Sequence, residues 1–174
     1  MAEASARDTL QPALLDRLLD DAPQQQVESR EDRVITRQRL RACVLRDLGW
    51  LFNTTAPSVN VQVGEQTRAL GEWQYVRDSV LNYGLPALSG RLVSSLDLTE
   101  LERAMREAIL AYEPRILPDT LQVTGIRPED PHRHHNVITM QISGQLWAQP
   151  YPLELLIKTD LNLESGEVKL AEGS

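Results

Sequence analysis

Three adjacent residues, Glu113, Pro114 and Arg115, carry the most pointed chemistry in this chain. A carboxylate and a guanidinium stand on either side of a stiff imide. Pro114 biases Glu113 away from helical geometry, so a helix reaching Tyr112 should end there. Such a corner can aim two opposite charges at a partner. On spacing alone it can equally pair them with local charges or cap the helix. Carboxylates also serve acid–base catalysis, and glycoside hydrolysis uses two of them across one cleft. An arginine beside Glu113 favours the ionised carboxylate, which suits binding better than proton donation. No spacing points to a second carboxylate, although Asp97 and Asp119 are candidates.

Other residue types invite chemistry with less support. His132, His134 and His135 crowd into four positions, but no cysteine or acidic cluster at ligand spacing completes a metal site. They read as a solvated loop. Cys43 is the single cysteine and sits in an apolar helical run, so it reads as a buried structural thiol. No histidine is near it in sequence to make it a nucleophile. There is no Gly-rich phosphate loop and no nucleophile-elbow pattern. No cofactor is implied.

The totals bound the reading. The chain has 174 residues, 25% of them charged and 5% aromatic, which suits one domain with an aliphatic core. A net charge of −7 argues against general binding to nucleic acid or anionic membranes. The 16 arginines against 2 lysines fit either genome composition or interface chemistry, in which guanidinium makes planar, partly desolvated contacts. No apolar run spans a membrane, and the acidic N-terminal stretch lacks the pattern of a secretory signal. The protein is expected in the cytoplasm.

The elements that must position the corner follow from periodicity. Residues 1–9 read as disordered, and 10–29 as an N-terminal helix and linker. In that helix Leu14, Leu15, Leu18 and Leu19 form an apolar face that docks on the domain or grips a partner. Residues 30–172 read as one domain. A second helix is expected over 30–52, with Glu31 and Asp32 at its positive end and Leu40, Val44, Leu48 and Leu51 in the core. Arg33, Arg37 and Arg41 stack on one face, a solvated stripe or an attachment point for a carboxylate-rich partner. A long connection over 53–71 holds at most a short extended piece at 59–63. A third helix is expected over Trp73–Tyr83, with Gly84 as its cap. A fourth starts at Asp97 and carries Leu101, Met105, Ala108, Ile109 and Tyr112 on one face before the corner. Beyond Arg115 the period becomes two. Ile138, Met140, Ile142 and Leu146 form one row, and Leu153, Leu155, Ile157 and Leu161 another. Val168 and Leu170 close the pattern. The fold class is α+β: N-terminal helices packed on a C-terminal antiparallel sheet of three to four strands.

Several segments together carry a family resemblance: VLRDLGWLFNTT, VRDSVLNYGLPALSG, the helix ending in YEPRI, and TDLNLESGEV. They resemble the TssE family, baseplate subunits of type VI secretion systems related to the gene product 25 wedge protein of contractile phages. The likeness runs roughly over 10–172. Gly49 and Phe52 stand where the family pattern suggests Glu and Leu, which touches only local helix packing. The resemblance implies a structural wedge component, not an enzyme, at the cytoplasmic face of the inner membrane. It implies contact with TssF and TssG, with TssK, with the sheath proteins TssB and TssC, and with the VgrG spike hub. It implies that Glu113, Pro114 and Arg115 serve protein binding, and that the sheet exchanges strands with the first sheath layer. The family has carried a lysozyme-like label, so a glycoside hydrolase acting on peptidoglycan is the rival. With both corner charges partly exposed, Arg115→Ala should leave the isolated domain folded, because exposed ion pairs contribute only ~0–1 kcal/mol.

Overall fold

The computed structural model describes residues 13–18, 24, 36–57, 60–63, 66–69, 73–77, 79–90, 96–126, 136–148 and 151–173. Residues 1–12, 19–23, 25–35 and 127–135 lie outside the described residues, and with them the expectations placed on the N-terminus, the linker, Leu19, Glu31, Asp32, Arg33 and the three histidines.

Helices come first and the sheet last. The elements are α1 (Leu14–Leu18), α2 (Arg37–Phe52), a small hairpin of β1 (Asn60–Val63) and β2 (Gln66–Ala69), and α3 (Gln74–Arg77). Then come α4 (Leu98–Tyr112) and the strands β3 (Gln122–Ile126), β4 (Val137–Leu146), β5 (Leu153–Asn162) and β6 (Val168–Glu172). The last four strands form one antiparallel sheet in sequential order β3-β4-β5-β6. The α+β architecture anticipated from periodicity is the one observed.

The sheet's inner face is built from the expected rows. Ile138, Met140, Ile142 and Leu146 of β4 are buried, and so are Leu155, Ile157 and Leu161 of β5. Register explains the coherence: Ile142 stands opposite Ile157 and Ile138 opposite Leu161, so the apolar sets stack across the strands. Thr159 interrupts the β5 row. It is fully buried, and its hydroxyl has no hydrogen-bond partner. From the helices, Leu40, Cys43, Val44, Leu48, Leu51 and Phe52 of α2 and Leu101, Met105, Ala108 and Ile109 of α4 complete the core.

Capping sets the helix bounds. Asp97 caps α4, its carboxylate accepting from the N–H groups of Thr99 and Glu100. Glu102 accepts from the N–H of Gly125 at 2.8 Å and ties α4 to β3. The second helix starts later than expected. Thr36 has extended backbone and accepts from Arg39 N–H, so α2 begins at Arg37 and no acidic residue lies in its first turn. At its other end the Asn53 side chain donates to Val168 O and accepts from Val168 N–H, both at 2.9 Å. A side-chain amide thus acts as a piece of strand against the edge of β6.

The segment 73–83 differs most from expectation. Instead of one helix it holds the single turn α3 and a separate 3-10 turn over Val80–Asn82, restarted by the Ser79 side chain accepting from Leu81 N–H. Val80 is exposed. A serine that can bond its own backbone competes with helix propagation. Gly84 follows with φ of +125°, and a Cβ there would lie 2.4 Å from Thr54 O. Only glycine permits this approach, which lets Leu85 N–H reach Thr54 O and Ala56 N–H reach Leu85 O. The connection after α2 holds a full two-strand hairpin rather than a short extended piece.

Of the two alternatives for the apolar face of helix α1, docking on the domain is not observed. Its leucines do not dock on the domain: Leu14 and Leu18 are 72% exposed and Leu15 41%. The residue that goes inward is Asp16.

Candidate protein-binding site

The α4 helix ends where Pro114 requires. Glu113 is its C-cap, non-helical at φ −124° and ψ 78°, with its N–H still bonded to Ile109 O. A turn closes with Ile116 N–H on Glu113 O, and the chain then runs beside the end of β4. Leu117 N–H donates to Gln145 O at 2.8 Å and Trp147 N–H to Arg115 O at 2.7 Å. Together with the Ile116–Leu146 bridge, these bonds fix the corner to the rim of the sheet.

The corner does not project both charges. Glu113 is 3% exposed and Arg115 is partly buried over it, with a fifth of its side chain in contact with water. Arg115 Nε donates to Glu113 Oε1 at 2.7 Å and Nη2 to Oε2 at 2.5 Å, a bidentate fork. The Arg115 backbone N–H also donates to Glu113 Oε1 at 3.2 Å. The condition under which Arg115→Ala would cost little, exposure of both charges, is therefore not met. Burial works against the charged guanidinium, but Glu113 and Asp47 more than compensate and raise its pKa above the usual arginine value.

Three further residues join the corner. Arg115 Nη2 bonds Asp47 Oδ2 of α2, and Arg46 Nε donates to Asp47 Oδ1 at 2.9 Å. Arg46 Nη2 reaches Asp16 Oδ1 of α1 at 2.7 Å. Asp16 Oδ2 lies 3.8 Å from Arg115 Nη1. Burial pushes the Asp16 carboxyl up, but hydrogen bonds from Arg46 and the Cys43 thiol, with the charges of Arg46 and Arg115, hold it below its ordinary value. The Cys43 thiol is pushed up by burial and by Asp16, so it stays protonated, as suits a structural thiol. Tyr83 sits at the edge of the cluster. Its hydroxyl is raised by burial and by the charges of Asp47 and Glu113, and its ring meets Tyr112 edge-on at 5.1 Å.

Sequence reading identified the corner but not Asp16, Arg46 and Asp47. The available signal was Arg46-Asp47 lodged among buried neighbours of α2, Cys43, Val44 and Leu48. Asp97 and Asp119, the candidate second carboxylates, go elsewhere: Asp97 caps α4, and Asp119 is exposed in a 3-10 turn over Pro118–Thr120. The arginine stripe of α2 is not a uniformly solvated face. Arg37 is exposed, but Arg41 donates to Glu154 O of β5 at 2.6 Å. Among the described residues no group of histidine, cysteine and carboxylates is placed to hold a metal ion, and no helix is long and apolar enough to cross a membrane. His132, His134 and His135 lie outside them.

What the corner offers at the surface is apolar. Pro114 is exposed, and Trp147, whose backbone N–H bonds Arg115 O, is 55% exposed. Trp50 is half exposed on α2, with the Arg46 guanidinium 5.0 Å above its ring. The corner thus has a charged network inside and proline and tryptophan outside. A family model described as baseplate wedge protein gp25 matches residues 38–151, from the first turns of α2 through the corner and β4. The chain belongs to that family of baseplate wedge proteins. No curated protein and no solved structure gives a match.

Proposed function

We propose that this protein is the TssE-type wedge subunit of a type VI secretion baseplate. It binds TssF and TssG, stands within reach of TssK and the VgrG hub, and helps start the TssB–TssC sheath at the cytoplasmic face of the inner membrane. The observation that carries this reading is the family match across residues 38–151, which takes in the Glu-Pro-Arg corner. The corner's build suggests how it serves. Glu113 and Arg115 lock each other, and the backbone of Arg115 holds Trp147 N–H at the exposed rim. Tryptophan and arginine at a rigid site are the usual anchors of a protein interface.

The hydrolase reading is less well supported. Both Glu113 oxygens are engaged by Arg115 and the residue is buried, so neither oxygen is free to hand a proton to a glycosidic bond. The two readings part in one experiment. Purified protein is mixed with TssF and TssG and protected amides are mapped, while a parallel sample is incubated with peptidoglycan. Protection around 112–117 and 145–148 with no release of sugar fragments supports the wedge. Cell-wall turnover that disappears in Glu113→Gln supports the hydrolase. Trp147→Ala should melt as wild type does yet bind TssF–TssG at least tenfold more weakly.

A further inference from the structure

We propose that Arg46 and Arg115, beside the buried Cys43, form a receptor for a carboxylate on a leucine-bearing helix, occupied here by Asp16 and, on assembly, by an aspartate or glutamate of a wedge partner. The partner's identity rests on the wedge reading; the receptor and its present occupant rest on geometry. An amphipathic helix docking for its own stability buries its leucines and leaves its aspartate wet. Helix α1 does the reverse: the Asp16 side chain is 3% exposed, while Leu14 and Leu18 stand in solvent. The helix is held by its carboxylate and offers its apolar side outward.

The receptor and its occupant also have different standing in the chain. Cys43, Arg46 and Arg115 lie within the span that the family model matches, 38–151, and Asp16 lies outside it. The fit is incomplete. Asp16 Oδ1 meets Arg46 at 2.7 Å, but Oδ2 stops 3.8 Å from Arg115 Nη1, and both of these buried atoms lack a hydrogen-bond partner. A buried donor facing a buried acceptor with no bond made is costly to both. A carboxylate one methylene longer, or set deeper by a partner's backbone, closes that gap. Charge makes the exchange feasible. Without Asp16 the cluster keeps two guanidiniums, Arg46 and Arg115, and two carboxylates, Asp47 and Glu113, already paired with one another. Departure of α1 thus strands no buried ion.

Cys43 reports on the receptor, since it is buried on α2 one turn before Arg46, on the same side of the helix, and is the single cysteine. The probes are iodoacetamide, a capped synthetic peptide of residues 10–22, and the full-length chain. Asp16→Ala should alkylate at least tenfold faster than wild type, and Asp16→Glu more slowly than wild type. The peptide should return Asp16→Ala toward the wild-type rate, and the same peptide with Asn at position 16 should not. Equal rates for Asp16→Ala and wild type, or rescue by both peptides, would overturn the receptor. Melting curves identify a variant that reacts because it has unfolded, and Asp16→Glu then decides alone by the direction of its change. With TssF–TssG bound, amide exchange over 14–18 should rise at least tenfold while Cys43 stays protected. Unchanged exchange in a formed complex would overturn the hand-over. Failure of TssF–TssG to bind would instead count against the wedge reading and leave the alkylation result standing.

Discussion

Arg115→Ala tests the corner most sharply. Removing the guanidinium takes the bidentate fork from Glu113 and one bond from Asp47. Asp47 keeps Arg46 at 2.9 Å. Glu113, at 3% exposure, keeps only the Arg115 backbone N–H at 3.2 Å. Leaving one member of a buried pair uncompensated costs roughly 3–5 kcal/mol, and the low end applies here because part of Arg115 already touches water. For a chain of this size, ~3 kcal/mol corresponds to about 6–12 °C in melting temperature. Adding Glu113→Gln to Arg115→Ala should recover part of the loss, because a neutral amide no longer needs a cation. Thermal melts of wild type, both single variants and the double variant form a cycle that isolates the pair. Arg115→Lys should fall between, since an ammonium cannot reproduce the planar fork. An Arg115→Ala protein that melts as wild type does, or a double variant equal to the sum of the singles, would refute the buried-pair reasoning.

Three other outcomes follow from the geometry. Thr159→Val should raise stability by ~1 kcal/mol, read as a higher midpoint in urea, because it removes a buried hydroxyl without a partner and keeps the shape. Gly84→Ala should cost more than ~1 kcal/mol in the same assay and loosen the amides of Leu85 and Ala56, since its Cβ would collide with Thr54 O. The Asp16 carboxyl has a lowered folded-state pKa, so its contribution is fully present above its unfolded value and fades as pH falls through the lower folded one. The stability gap between wild type and Asp16→Asn should therefore hold steady down to about pH 4, then shrink on further acidification.

The sheet was legible because a period of two, sustained over β4 and β5, leaves one register that buries every large aliphatic residue. The same held for α4, where apolar spacing, the Asp97 cap and Pro114 all point to one pair of bounds. The stretch over 73–83 was misread because its apolar spacing fits a helix, whereas Ser79 bonds locally and Gly84 must approach Thr54. The corner was found as a location and misjudged in exposure. Whether Glu113 faces water depends on Asp47, 66 positions earlier in the chain, which supplies the second carboxylate for Arg115. No local pattern encodes that meeting. For α1, leucine spacing outweighed a single aspartate in the reading, yet two arginines brought together by the fold decide which side turns inward.

The central claim is that this chain is a wedge subunit, and sedimentation of the purified chain with TssF and TssG tests it most directly. The account predicts one faster-sedimenting species that contains all three proteins in fixed proportion, and a smaller share of this chain in it when Trp147→Ala replaces wild type. A chain that sediments alone, at concentrations where TssF and TssG associate with one another, would contradict it.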